Sequence, residues 1–122
     1  MSKLKQYMCV THNDIIDGQM VDININGTSL VGYLECSYQQ LTDAFGEPKE
    51  FGYDDYKCDA EWSLEFANGE VACIYNWKNG KNYLGEEGEL TDKITNWNVG
   101  GVSSDVVELI EMHLNISEVS IA

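Results

Sequence analysis

The sequence predicts an α+β fold: a mostly antiparallel sheet, built from two hairpins and a further strand, with two helices packed on it. Three observations lead there. Alternating apolar and polar segments flank the dipeptides Asn26-Gly27 and Asn68-Gly69, and Asn-Gly accepts the positive φ angles of a tight hairpin turn. Two segments, opening at Ser37 and at Ser103-Ser104, carry helix start signals followed by apolar residues at helical spacing. The resulting order of hairpin, helix, hairpin, strand, helix is that of an antiparallel sheet with helices against one face.

The first 17 residues have no clear periodicity. Residues 20–25 alternate at period two, and residues 28–36 follow the Asn26-Gly27 turn, so the two segments are expected to pair as the first hairpin. Ser37 is a good helix N-cap, and Gln40 three positions later completes a capping box. Tyr38, Leu41 and Phe45 share one face of that helix, Gly46 ends it, and Pro48 prevents its return. Residues 47–59 read as a loop. In the second hairpin Ala60, Trp62, Leu64 and Phe66 alternate with Glu61, Ser63 and Glu65. The returning strand carries Val71, Cys73, Tyr75 and Trp77 on one side and Ala72 and Ile74 on the other, which suits a central strand covered on both faces. Residues 79–92 read as a loop and residues 94–99 as a short strand, broken by Gly100-Gly101. Ser103 or Ser104 then caps a helix whose buried stripe is Val106, Val107, Ile110 and Leu114. The tail from Asn115 alternates weakly and suits either a last edge strand or a subunit contact.

A chain of 122 residues is one domain's worth, so a single domain over 1–122 is expected. Seven Lys and no Arg stand against 21 acids, a net charge of −14. That balance is unsuited to gripping nucleic-acid phosphates or an anionic membrane surface. No apolar run reaches the roughly 18 residues of a membrane span, and none near the start suits an export signal. A cytoplasmic location follows as the expectation. Cys9, Cys36, Cys58 and Cys73 show no C-x-x-C spacing, so they are expected to be reduced and structural.

The densest unusual stretch runs from Tyr75 to Gly85 and resumes from Thr95 to Gly101. It holds two of the three Trp and two of the seven Lys. Aromatic faces stack on nucleobases, Asn can read a base edge, and Lys meets phosphate as a point charge. Tyr75, Trp77, Tyr83 and Trp97 are therefore candidate walls of a ligand pocket. Lys78 and Lys81 are candidate phosphate contacts, and Asn98 a candidate base reader. Gly100 and Gly101 would bring backbone N–H groups at the start of the last helix close to a phosphate. The bland alternative for each is a core aromatic, a turn or a chain reversal. No P-loop and no G-x-G-x-x-G occurs. No catalytic constellation, resident metal or cofactor is expected.

A second feature is acidic. Between Asp43 and Glu61 lie seven acids and only two Lys, interleaved with Tyr53 and Tyr56. Displayed on one surface, they would imitate nucleic-acid phosphates and occupy a basic protein groove; otherwise they serve solubility. Asp54, Asp55 and Asp59 lack the spacing of a calcium loop.

An ordered set of motifs adds to this reading. Tyr38-x-x-Leu41-x-x-Ala44-Phe45-Gly46-Glu47-Pro48 is followed by Tyr56-Lys57-x-Asp59-Ala60-Glu61-Trp62. Ile74-Tyr75-Asn76-Trp77-Lys78, Tyr83-x-Gly85 and Trp97-Asn98-Val99-Gly100-Gly101 complete it. The set covers about half of the chain and resembles a small, widespread family encoded by bacteriophages and other large DNA viruses. The resemblance points to the phage anti-CBASS sponge family. It implies an oligomer that sequesters a cyclic dinucleotide of bacterial immunity, such as 3′3′-cGAMP, without cleaving it, in the cytoplasm of the infected cell. Relatives often carry His where Asn98 stands, so a hydrogen-bonding role is expected there rather than an ionisable one.

Overall fold

A computed structural model of the chain describes residues 9–49 and 57–121, with side chains to Asn115. Among the described residues there are seven strands: β1 (Cys9–Thr11), β2 (Ile15–Ile16), β3 (Gln19–Met20), β4 (Ser29–Glu35), β5 (Glu61–Phe66), β6 (Val71–Tyr75) and β7 (Asn96–Gly101). The helices are α1 (Tyr38–Phe45), α2 (Lys81–Leu84) and α3 (Asp105–Ile121). Five strands form one sheet in the order β1-β5-β6-β7-β4, and every pairing is antiparallel. β2 and β3 form a separate small ribbon around Asp17-Gly18. The fold is α+β with a mostly antiparallel sheet, as the sequence predicts.

Several elements form where their local signals lie. The Ser37 hydroxyl accepts from the Gln40 N–H at 3.0 Å, and the Gln40 amide oxygen accepts from the Ser37 N–H at 2.8 Å. This reciprocal pair satisfies donors that open every helix. β5 and β6 pair from Glu61↔Tyr75 to Glu65↔Val71 across the Asn68-Gly69 turn. At α3 the Ser103 hydroxyl accepts from the Asp105 N–H at 3.3 Å.

Four expectations need correction. Residues 20–25 do not pair with 28–36: β4 pairs with β7 instead, with Leu34 opposite Trp97 and Gly32 opposite Val99. The Asn26-Gly27 turn forms, with Gly27 at φ +87°, but period-two alternation is a local signal and cannot choose between partners. β7 offers β4 a fully buried row of side chains; residues 21–25 do not. Next, Gly100-Gly101 do not break the last strand. They finish it, paired with both β4 and β6. The tail from Asn115 continues α3 to Ile121 rather than forming a strand. Lastly, the segment 79–92 contains α2 and two 3₁₀ turns.

The core lies between the sheet and the helices. Trp62, Leu64, Phe66, Ala72, Ile74, Trp97 and Val99 face Leu41 and Phe45 of α1 and Val106, Leu109, Ile110 and Leu114 of α3. Trp62 and Trp97 meet edge to face, ring centroids 5.4 Å apart. Each indole N–H is buried and satisfied. Trp97 donates to the Cys36 carbonyl just before α1 at 3.1 Å, and Trp62 to the Gly46 carbonyl just after it at 2.8 Å. The two indoles hold both ends of α1 to the sheet.

Trp97→Phe keeps most of the apolar volume but orphans the Cys36 carbonyl. A loss of about 1–3 kcal/mol is expected, read as a lower urea midpoint with an unchanged m value. An unchanged midpoint would show that this hydrogen bond carries no stability.

Candidate ligand-binding site

Side chains alternate across a strand, so the neighbours of the core residues point away from the helices. On that opposite face Glu61, Tyr75 and Asn98 align in register across β5, β6 and β7, and Ser63, Cys73 and Gly100 form the next row. Here lies a cleft of about 310 Å³, lined by Glu61, Cys73, Tyr75, Trp77, Cys58, Gly100 and residues 25–29. Gly100 makes the floor. A Cβ at this position would come within 2.6 Å of the Cys73 Sγ, so only Gly keeps both the strand pairing and the depth. The 25–29 wall is folded on itself: the Thr28 hydroxyl donates to the Ile25 carbonyl at 2.7 Å.

The aromatic side of the cleft is built by the end of β6. Tyr75 and Trp77 stand edge to face with centroids 6.1 Å apart, and Trp77 keeps 40% of its surface exposed. The Tyr75 hydroxyl is hydrogen-bonded to the Asn98 side chain, and burial raises its pKa above the ordinary tyrosine value. The ammonium groups of Lys57 and Lys78 lie 5.3 and 5.7 Å from the Trp77 ring centre, and that of Lys78 is also 5.4 Å from the Tyr83 ring. Glu61 is 5% exposed and pairs with Lys49, Nζ to Oε2 3.4 Å. In a chain of net charge −14, three of seven lysines thus gather around one cleft.

Asn76 holds this arrangement in place. Its side chain is completely buried. Its Oδ1 accepts from the Asp59 and Ala60 N–H groups at 2.7 and 3.0 Å. Its Nδ2 donates to Asp59 Oδ1 at 2.9 Å and to Asn79 Oδ1 at 3.0 Å. Both groups of the amide are paired as a buried polar group requires. The bonds tie the chain entering β5 to the chain leaving β6. Lys78 follows at φ +60°, a left-handed conformation uncommon for a residue with a Cβ, and its N–H donates to the Lys57 carbonyl at 2.8 Å.

The predicted site residues divide into three groups. Tyr75, Trp77, Lys78 and Tyr83 come together, with Gly100 beneath and Asn98 bracing Tyr75. Trp97 is fully buried in the core on the other face and is no pocket wall. Its place on β7, two positions from Val99 and in register with Leu34, puts it on the helix side. Lys81 points elsewhere, its Nζ 3.4 Å from the Glu86 carbonyl. Gly101 packs against Val106 under α3. The expected phosphate site at the start of α3 is also displaced. Gly100 and Gly101 lie within the strand, and the Ser103 hydroxyl that caps α3 donates to the Glu70 carboxylate at 3.1 Å. An acid already stands there. Glu70 and Trp77 moreover flank opposite ends of β6, about 20 Å apart at strand rise, so a single small ligand cannot use both.

Sequence reasoning missed Glu61, Cys58, Cys73, Lys57 and the 25–29 wall. The alternation that marks Trp62 and Ile74 as core puts Glu61, Cys73 and Tyr75 together on the other face, so that much was available. The wall was not, because its contact with β7 spans about seventy positions.

The acidic segment is less displayed than its composition suggests. Glu61 is buried, and Asp59 is engaged by Asn76 and Asn82. Glu50, Tyr53, Asp54, Asp55 and Tyr56 lie outside the described residues. Among the described residues no group of three or more His, Cys, Asp or Glu is placed to hold a metal ion, and no helix is long and apolar enough to cross a membrane. None of the four cysteines is in a disulfide. One of them, Cys9, comes within 4.0 Å of His113 Nδ1 beside a second cleft. Burial first, then Asp14, pushes its thiol up to about 12, so it stays protonated at neutral pH and is not an activated nucleophile. No protein-family model matches the chain, and no curated protein matches it.

Two predictions follow from this geometry. Asn76→Ala leaves the Asp59 and Ala60 N–H groups without their acceptor, so a destabilisation on the order of 3 kcal/mol is expected. Acrylamide quenching should rise at the same time through Trp77; a variant with native quenching and stability would remove Asn76 from its structural role. The second concerns alkaline pH. Cys9, Cys73, Tyr38 and Tyr75 all have raised pKa values in the fold. The unfolded chain releases these protons first, so their contribution is complete below the ordinary thiol value of 9.0 and is lost as pH rises above it, for Cys9 on the way to about 12. Urea midpoints should therefore fall steadily above pH 9.0.

Proposed function

We propose that this protein is a non-catalytic binder of a nucleotide signal, and that it sequesters a cyclic dinucleotide such as 3′3′-cGAMP in the cytoplasm of a phage-infected cell. The observation that carries the reading is the pair Tyr75 and Trp77 in one cleft of a strongly acidic chain, with the ammonium groups of Lys57 and Lys78 beside the Trp77 ring and that of Lys78 also beside Tyr83. Aromatic rings and lysines interleaved in this way suit a base and a phosphate together. Long-range repulsion from the −14 charge is screened beyond about 8 Å at physiological salt, so the local lysines decide. The motif resemblance from Tyr38 to Gly101 points the same way.

Size refines the proposal. At about 310 Å³ the cleft is at the small end of the range for organic ligands. It suits one nucleoside half better than a whole two-base ring. A cyclic dinucleotide with two-fold symmetry is then held between two copies of the chain, one base in each cleft, about one ligand per two chains. The site is complete only in the oligomer, and nothing in this arrangement requires bond breakage.

The test is calorimetry and thermal shift with cyclic dinucleotides, cyclic trinucleotides, ADP-ribose derivatives and linear controls. A ligand at one hundred times its dissociation constant adds about 2.7 kcal/mol and raises the midpoint by several degrees. Trp77→Ala, in a partly exposed position, should weaken that ligand by about fivefold to a hundredfold with little change in the stability of the free protein. The ligand should be recovered intact after denaturation. A flat panel, or cleaved ligand, would overturn the reading.

A further inference from the structure

The chain holds three Asn-Gly pairs: Asn26-Gly27, Asn68-Gly69 and Asn79-Gly80. This dipeptide is prone to cyclise on itself. The side-chain amide carbon lies within reach of the next backbone nitrogen, and glycine has no side chain to obstruct the approach. The fold treats the three pairs differently. At Asn68-Gly69 both reacting groups are held. The Gly69 N–H donates to the Phe66 carbonyl at 2.9 Å, Asn68 Nδ2 donates to Glu70 Oε2 at 2.9 Å, and Asn68 Oδ1 accepts from the Glu70 N–H at 3.0 Å. At Asn79-Gly80 the Asn79 Oδ1 accepts from the buried Asn76 amide at 3.0 Å, the Asn79 carbonyl accepts from the Glu89 N–H at 2.9 Å, and Gly80 is buried. Asn26 and Gly27 are both exposed. Their turn is closed by the Thr28 N–H on the Ile25 carbonyl at 3.2 Å, with Gly27 at φ +87°. A positive φ at the third position is that of a type II turn, whose closing bond does not use the third residue's N–H. Among the described residues, the Asn26 side chain and the Gly27 N–H make no hydrogen bond. A Cβ on Gly27 would meet nothing within 4 Å, so a ring has room to form.

We infer that Asn26-Gly27 is a self-modifying site, which turns an amide on the cleft wall into a carboxylate as the protein ages. The Gly27 nitrogen attacks Asn26 Cγ. A new N–C bond forms, the bond from Cγ to Nδ2 breaks, and ammonia leaves with the proton that Gly27 gives up. Water then opens the cyclic imide at either carbonyl. One opening gives aspartate on the native backbone; the other gives isoaspartate, with the backbone routed through the side-chain methylene. In sum, an amide and a water become a carboxylate and ammonium, and no oxidant, metal or enzyme is required. The position gives the change its effect. Asn26, Gly27 and Thr28 line the cleft together with Tyr75 and Trp77. Either product adds a negative charge to that lining. Isoaspartate also lengthens the turn, which takes the Thr28 N–H and hydroxyl out of register with the Ile25 carbonyl that both now meet. At Asn68 or Asn79 the same reaction must first break the bonds that hold the pair. The modification does not depend on what the cleft binds. Its effect on binding rests on the nucleotide proposal, since an added carboxylate repels phosphate.

The experiment follows the full-length protein during incubation in native buffer and in urea, by peptide mapping with mass spectrometry and by labelling with an isoaspartyl methyltransferase. In native buffer at neutral pH, Asn26 should convert about tenfold to a hundredfold faster than Asn68 and Asn79, the difference expected from hydrogen bonds that must break before attack. In urea the three rates should converge. Mildly acidic buffer should slow Asn26, because the Gly27 nitrogen must lose its proton to attack. Hydrogen exchange at the Thr28 N–H should quicken in the isoaspartyl product. Asn26→Gln, which removes no hydrogen bond and closes the ring poorly, should stay unmodified at this position. Affinity for 3′3′-cGAMP, read by calorimetry, should fall in proportion to the converted fraction, while incubated Asn26→Gln should keep its own starting affinity. An Asn26 that stays intact in the native protein, or converts no faster than Asn68 and Asn79, overturns the inference. Conversion that alters neither Thr28 exchange nor binding overturns its effect on the cleft. Fresh protein that binds no ligand overturns the nucleotide reading alone, because the mass and exchange readouts need no ligand.

Discussion

The side-chain amide of Asn76 is the constraint on which the cleft depends. Polar groups at full burial are tolerated only when every partner is in place. Here the partners are backbone and side-chain groups from two stretches far apart in sequence, the approach to β5 and the exit from β6. One amide therefore fixes how the chain leaves the sheet. Trp77 and Lys78 follow it directly, and their direction is set by that exit. The positive φ of Lys78 is a local cost offset by the same network, and it turns the ammonium between two aromatic rings.

The sheet separates the packed core from the cleft by its two faces. On the helix side the indoles of Trp62 and Trp97 pin α1 at both ends, and the aliphatic stripe of α3 closes the layer. On the other side the same strands present an acid, a thiol, a phenol and an exposed indole. Adjacent residues of β5 thus serve opposite purposes: Trp62 is wholly buried for packing, while Glu61 is buried and paired with Lys49. Retaining an ion pair at such a place is costly compared with apolar packing, which is why Glu61 stands out among the acids of the chain.

Local physics was legible in the sequence and long-range pairing was not. The capping box at Ser37, the β5–β6 hairpin across Asn68-Gly69 and the stripe of α3 all rest on neighbours a few residues apart, and all appear in the structure. The partner of β4 was misread because alternation and an Asn-Gly turn fit a hairpin with residues 20–25 as well as they fit pairing with β7. The same limit applies to the aromatics. Trp77 and Trp97 look alike in composition, but only the register of β7 against β4 and β6 separates a core indole from one at a cleft. Glu61 was hidden for a different reason: among 21 acids, nothing in the residue itself marks the one placed beneath an aromatic wall.

The sheet order carries a consequence for synthesis. Translation delivers residues 25–29 early, yet the strand that seats them, β7, emerges about seventy residues later. β5 and β6 can close as a local hairpin in the meantime, since their pairing needs only a tight turn. β1 and β4, at the two edges, must wait for partners further along the chain. The cleft is therefore among the last features to exist on a nascent chain, and a truncated product that stops before Asn96 lacks both its floor and the strand that anchors its wall. Such a fragment retains exposed strand edges and no cleft, so premature termination yields an aggregation-prone species.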